Sequence, residues 1–292
     1  MQVVNLRAEY VQYLAETKAF TTDLLDVEQT QAENYLKNLT TSDDLDGVAK
    51  SVRVVRGAPA VAILAVAHEQ QADLIVLSSH GWTGFKGWVL GNVAQKVAHH
   101  SPVPVLVLRE AVLVSAYSDV ARSFRALVTL DGSDLAERAL GPAAHLVAAL
   151  SAPETGALHL NRVVELPPAD SQQSQLMDAT AREYTLSQAA TYLSTVAEQL
   201  RTGLGADLKL SITWSVVAEE DVAHSIVRTA EEGEPGGSDL IAMATHGRSG
   251  MQHWVMGSMT ERVLQATKCP LLIVRPHQNG SAESERGSDH SG

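Results

Sequence analysis

A single cysteine in 292 residues, Cys269, leaves no partner for an intrachain disulfide and fits a reducing compartment. It stands just before an apolar run, which suits a packed core thiol better than a redox centre. Aromatics make up only 4% of the chain, so its cores must be built from Val, Leu, Ile and Ala. Basic residues are outnumbered, and the net charge of −12 argues against a nucleic-acid binder that relies on a global positive field. No apolar run approaches the roughly 20 residues needed to span a bilayer, and Met1–Phe20 has no long apolar stretch of a secretory signal. A cytoplasmic protein without nucleic-acid or membrane partners is expected. Three motif classes are also missing: the Gly-x4-Gly-Lys-Ser/Thr phosphate loop, the Gly-x-Ser-x-Gly nucleophile elbow, and the His-Glu-x-x-His zinc pattern.

What the chain does have is an internal repeat. Asp73-Leu74-Ile75, His80-Gly81, Gly84, Trp88-Val89, Gly91, Val97, Pro104, Leu106 and Arg109 each recur at one fixed offset, the step that leads from Gly91 to Gly257. A gapless repeat of this kind sets the architecture before residue chemistry is considered. With 45% hydrophobic residues, the chain has material for two α/β cores.

Apolar runs of four to eight residues alternate with helical stretches. In the second half, strands are expected at Arg125–Leu130, Ala157–Val164, Leu208–Val217, Asp239–Thr245 and Pro270–Val274. Helices are expected at Asp134–Leu150, Ser187–Arg201, Glu219–Glu232 and Ser258–Ala266. Continuous apolar strands imply burial on both faces, as in a parallel sheet covered by helices. With right-handed crossovers the result is a Rossmann-like doubly wound domain. The first half offers strands at Val3–Leu6, Ser51–Val55, Asp73–Ser79 and Pro104–Leu108, with helices around Thr30–Leu39, Pro59–Gln70 and Asn92–His99. Its stretch before Asp73 is much shorter than the matching stretch from Arg125 to Asp239. The shortfall equals about one strand and one helix, so the first domain lacks its opening unit. Ala111-Val112-Leu113-Val114 is a candidate substitute strand. The expected division is a degenerate domain at 1–110, a linker at 111–124, a complete domain at 125–276, and a disordered, Ser/Gly/Glu-rich tail at 277–292.

The chemistry concentrates where strands feed helices. Ala244-Thr245-His246-Gly247, nine residues, and then Gly257-Ser258 run from a strand into a helix. Doubly wound folds bind ligands at that edge, and a helix start offers unpaired N–H groups to phosphate. Gly247 and Gly257 let backbone approach an anion closely. Ser258 and Glu261 have the spacing of a capping box, so the Ser258 hydroxyl is a candidate helix cap, phosphate donor, or both in turn. Asp131 follows the first strand of the second half. There a carboxylate can accept from ribose hydroxyls, hold a metal bridged to phosphate, or cap the next helix. His80 and His246 suit loop-stabilising hydrogen bonds. His99-His100 has no recognisable metal-site spacing. Trp88 and Trp254 match between halves and suit burial. Lys86 and Arg248 lie in the loops, solvated or near phosphate.

Val128–Leu140, the Asp239–Gly247 block and the Gly247-x9-Gly257-Ser258 spacing resemble the universal stress protein family, and the whole chain resembles a tandem member. The resemblance implies an ATP site, with Mg²⁺ as a possible companion. It places the sugar and metal-phosphate contacts on Asp131, the adenine on backbone at Val163 or Val164, and the phosphates on the loop of Ala244, His246, Gly247, Gly257 and Ser258. Ala244 stands where the family pattern has its first glycine. The first half has Ser78 and Asn92 at the matching positions and no counterpart of Asp131. The reading is therefore an ATP-binding regulatory stress-response protein with one competent site, in the second half, and an unidentified protein partner. It has no named catalytic residue and at most slow hydrolysis. The rival reading is a ligand-free interaction scaffold, self-associating or pairing its domains through Pro104–Leu108 and Pro270–Val274. A slow enzyme on a nucleotide-activated substrate is a third possibility.

Overall fold

The computed structural model describes residues 2–4, 20–78, 91–109, 123–167, 179–233, 237–245 and 257–275. The first half runs β1 (Gln2–Val4), α1 (Phe20–Thr40), a short 3-10 turn at Asp43–Leu45, β2 (Val54–Arg56), α2 (Pro59–Glu69), β3 (Ile75–Ser78), α3 (Asn92–His100) and β4 (Val105–Leu108). The second half runs β5 (Arg125–Thr129), α4 (Asp134–Glu137), α5 (Leu140–Ser151), β6 (Ala157–Glu165), α6 (Ala179–Thr202) and α7 (Leu204–Asp207). It continues with β7 (Ser211–Glu219), α8 (Val222–Glu232), β8 (Leu240–Ala244), α9 (Ser258–Ala266) and β9 (Leu271–Val274).

Seven strands form one sheet in the order β3-β4-β9-β8-β5-β6-β7, parallel at every pairing except β4 with β9. The second half enters at its centre, β5. It steps outward to β6 and β7, then crosses back to β8 and β9. The reversal opens a crevice between the carboxyl ends of β5 and β8, the topological switch point of a doubly wound fold.

The continuous apolar strands have the predicted consequence. All five residues of β8 and all four of β9 are buried. Alternate side chains feed two cores on opposite faces. Leu127, Ile241, Met243 and Ile273 meet α2, α3, α8 and α9 on one face; Val128, Ala242, Leu272 and Val274 meet α4, α5 and α6 on the other.

The halves join through their last strands. Leu106 pairs with Leu272, flanked by Val105 with Ile273 and Val107 with Leu271. Leu106 and Leu272 hold the same place in the repeat, so the antiparallel join is centred on equivalent residues, as in an isologous contact. Arg109, at the end of β4, reinforces it: the buried guanidinium donates to the Leu264 carbonyl on α9.

The described strands of the first half are divided between two sheets. β1 and β2 pair with each other in a separate two-stranded sheet, and no described residues supply a strand between them and β3. Ala111–Val114 and the tail at 277–292 lie outside the described residues. Three helices differ most from expectation. α1 begins at Phe20, ahead of the predicted Thr30. The helix predicted at Asp134–Leu150 is two, α4 and α5, because Pro142 cannot donate to a carbonyl four residues earlier and is accommodated in the first turn of α5. α6 starts at Ala179, eight residues before the predicted Ser187. Its first turns are largely exposed and carry no apolar stripe to read, although their Ala, Arg, Glu and Leu are good helix formers.

Candidate functional site

The switch-point crevice holds a cavity of about 350 Å³, within the range of small-molecule sites. Asp131, Val163, Ala244, Gly257 and Ser258 all line it, although they come from four separate stretches of chain. Val164 does not. Its side chain is buried on the opposite face of β6 from Val163. His246 and Gly247 lie outside the described residues, as do His80, Lys86, Trp88, Arg248 and Trp254.

Asp131 leaves the end of β5 in a tight turn. Its Oδ1 accepts from the Ser133 backbone N–H at 2.9 Å and from the Ser133 hydroxyl at 2.6 Å. Ser133 in turn caps α4, its Oγ accepting from the Ala136 N–H at 3.2 Å. Asp131 therefore does not itself cap the next helix; it braces the residue that does. Gly132 makes the turn possible with φ +89°, a conformation that side chains disfavour. A methyl group there would also meet the Arg162 guanidinium at 3.0 Å. Arg162 lies over the ring of Tyr192, 5.2 Å from its centre, and Tyr192 donates to Glu137 Oε1 at 2.8 Å. Burial and the neighbouring Glu137 push the Tyr192 phenol well above its ordinary pKa, so it remains a donor.

Across the crevice, α9 presents its N-terminus. Its cap is Gly257, not the predicted Ser258, and no side chain caps the helix. The cause is a close backbone approach. Gly257 N–H donates to the Thr245 carbonyl at 2.7 Å, and its own carbonyl accepts from the Glu261 N–H at 3.1 Å. Ser258 becomes the first helical residue, exposed at the cavity edge. α3 likewise has Gly91 as its cap, with Asn92 its first helical residue. Thr260, which the sequence did not single out, is buried and donates to the Ala244 carbonyl at 3.0 Å, fixing α9 to the end of β8. Ala244 is not among the described non-glycine residues with positive φ, so alanine replaces the family glycine without backbone strain.

The floor and far wall come from β6, β8 and α8. Thr129, Asn161, Glu165, Val222, Ile226 and Met243 join the lining, and none was marked by spacing or motif. Asn161 and Glu165 are discernible only as polar residues alternating with Leu158, Leu160 and Val164 in β6, and Thr129 only as the polar end of β5. α8 is held to α9 at the rim: Asp221 caps α8 by accepting from the His224 N–H at 3.0 Å and takes both 2.9 Å hydrogen bonds from Arg262. The His224 N–H bond is the main cause that holds the Asp221 carboxyl below its ordinary range, and Arg262 adds to it. A lowered folded-state pKa contributes stability above the unfolded value and loses it as pH falls through the folded one. In thermal melts below about pH 4, Asp221→Asn should accordingly show a weaker loss of Tm on acidification than wild type. Equal slopes would show that the pair is silent in water.

Among the described residues no group of three or more His, Cys, Asp or Glu side chains could hold a metal ion, and no helix is long and apolar enough to cross a membrane. A metal at Asp131 would therefore need ligand oxygens to complete its shell. The residues present fit such a group: the Asp131 carboxylate and the N-terminus of α9, which no side chain caps, line the same cavity.

A profile described as the Universal stress protein family matches residues 3–109 and again 124–275. Universal stress protein YxiE of Bacillus subtilis is 27% identical over 51% of this chain and 97% of its own length. Universal stress protein Rv2005c of Mycobacterium tuberculosis is 25% identical over 70% of this chain, a match that spans 62% of that protein. A crystal structure of a universal stress protein from Archaeoglobus fulgidus superposes with a TM-score of 0.62 over 94% of this chain and 85% of that one, at 24% identity. A Pseudomonas aeruginosa structure described as a putative universal stress protein gives 0.53 over 83% and 78%, at 20% identity, and these two establish the fold alone. The double match, the mostly parallel sheet and the gapless internal repeat lead to one conclusion: the chain belongs to the universal stress protein family, as a tandem member.

Proposed function

We propose that this protein is a regulatory adenine-nucleotide-binding member of the family, with one competent site, between β5, β6, β8 and α9. The observation that carries the reading is the juxtaposition of Asp131 with the helix start at Gly257 and Ser258 around one cavity. The uncapped N–H groups of α9 suit phosphate oxygens. Asp131, already oriented by Ser133, accepts from ribose hydroxyls or shares a Mg²⁺ ion with the phosphates. Backbone at Val163 and the apolar side chains of Val222, Ile226 and Met243 offer the base a flat, dry wall. When bound, Mg²⁺ supplies charge neutralisation to the phosphates. The role proposed is binding and signalling in the cytoplasm rather than turnover, with a partner protein reading the occupied state.

In this reading the first half is not competent, because its sequence offers no counterpart of Asp131. The scaffold reading draws support from the β4–β9 join, which makes one body of the two halves. In this chain, however, those two strands are already flanked on both sides, β4 by β3 and β9 by β8. A second copy would need another surface.

The test is mass spectrometry of small molecules released on denaturing the purified protein, after incubation with millimolar ATP and Mg²⁺ and rapid desalting. Wild type should release adenine nucleotide near the protein concentration, and Asp131→Ala should release at least tenfold less. Wild type that retains nothing, and binds nothing at equilibrium, would refute the reading.

A further inference from the structure

Asn161, Val163 and Glu165 project from one face of β6 and line the cavity in sequence, with Asn161 deepest along the strand, beside Thr129 of β5. Asn161 is 1% exposed, and the two ends of its amide have different fates. Nδ2 donates to Ser215 Oγ at 3.1 Å, on the neighbouring strand and in register. Oδ1, equally buried, accepts nothing from the described residues. A buried acceptor stripped of water and left unpaired is unfavourable, and native proteins keep few of them.

The orientation of the amide is set from behind. Ser215 Oγ lies 2.8 Å from His159 Nε2, and His159 Nδ1 lies 2.8 Å from Thr213 Oγ1. Burial, aided by Arg125, lowers the His159 pKa and favours the neutral ring, in which one nitrogen donates and the other accepts. In the tautomer with Nδ1–H donating to Thr213 Oγ1, Nε2 accepts a hydrogen bond from the Ser215 hydroxyl. Ser215 Oγ is then an acceptor for Asn161 Nδ2, and the carbonyl end of Asn161 is left for the cavity. A second buried group with no partner among the described residues, Ser225 Oγ, sits on α8 between Val222 and Ile226, both of which line the same cavity.

We propose that Asn161 Oδ1 is the acceptor for the exocyclic amino group of the bound purine, making Asn161 a specificity-determining residue for a 6-amino over a 6-oxo or unsubstituted base. The assignment rests on the adenine-nucleotide reading above and names the side chain that enforces it. A 6-amino group presents N–H to this acceptor. A 6-oxo group presents a second acceptor, and an unsubstituted C6 presents neither.

Calorimetric titration of the full chain with ATP, GTP and purine riboside triphosphate, which lacks the amino group, tests the assignment. Wild type should bind ATP about tenfold tighter than purine riboside triphosphate, the scale of one hydrogen bond. Asn161→Leu should weaken ATP to the level of that analogue and leave the analogue within about twofold. Ser215→Ala, which frees the amide to rotate, should shrink the preference while keeping the Asn161 side chain. Equal affinities in wild type, or a preference that survives Asn161→Leu, would overturn the assignment and leave nucleotide binding standing. Failure of wild type to bind any of the three would bring down the nucleotide reading and the assignment with it. Should Asn161→Leu not fold, the wild-type comparison and Ser215→Ala decide the matter.

Discussion

Leu127→Ala should lower the stability of the second half by about 2–5 kcal/mol, the range for truncating a fully buried leucine. Leu127 is 0% exposed on β5, the strand that the other four of this half are built around. Its neighbours in register are His159 on β6 and Ile241 on β8, and its side chain belongs to the core under α8 and α9. Strands held on both sides cannot close over the space left behind, so the cavity persists and its penalty adds to the lost transfer free energy. Against a typical total of about 5–15 kcal/mol, one substitution removes a large share of the margin. Val76→Ala is the contrast: Val76 is 52% exposed on the edge strand β3 and should cost less than about 1 kcal/mol. Urea titrations of both variants check the pair. A Leu127→Ala loss as small as that of Val76→Ala would mean that β5 is not the central strand.

Gly257→Val should weaken ATP binding at least about 100-fold, or roughly 2.7 kcal/mol. A Cβ at this position would meet the Thr245 carbonyl oxygen at 2.6 Å, nearer than real side chains come. That oxygen has little room to retreat. Thr245 is tied to β9 through its N–H bond to the Val274 carbonyl at 2.9 Å, and Ala244 before it accepts from Thr260. The movement therefore falls on the start of α9, which turns away from the crevice and takes its N–H groups with it. Some folding stability, about 1–3 kcal/mol, goes as well. Affinity is consequently read at a temperature where circular dichroism shows the variant folded. Gly91→Val, the matching change in the first half, should leave affinity within about twofold. If the two variants behave alike, the nucleotide site is not at α9.

Much of this was legible in the sequence, and the reasons differ by feature. The constant step from Gly91 to Gly257, shared by every matched residue, established two related halves, because a long repeat without a gap preserves every strand and helix between its anchors. Runs such as Leu271–Val274 read as buried parallel strands because apolarity on both faces leaves a continuous signal. Asp131, Ala244 and Gly257 were reachable because each stands where a strand feeds a helix, a place that local sequence marks. The helix cap was not. Ser258 satisfies the local capping rule, but the closeness of Thr245 O to Gly257, a tertiary contact, decides where the helix begins. Asn161 was missed for a related reason. Its importance depends on Ser215 and His159, and Ser215 lies 54 residues further along the chain on a strand that only the sheet brings near. No spacing rule in one strand announces a partner in the next.

One measurement bears most directly on the central claim, that a single nucleotide seat survives and lies in the second half: the stoichiometry of ATP–Mg²⁺ binding to the full-length chain by calorimetry. The expected result is one equivalent per chain, abolished by Asp131→Ala together with Gly257→Val and untouched by Gly91→Val. Two equivalents, or one that persists in the double variant, would contradict it.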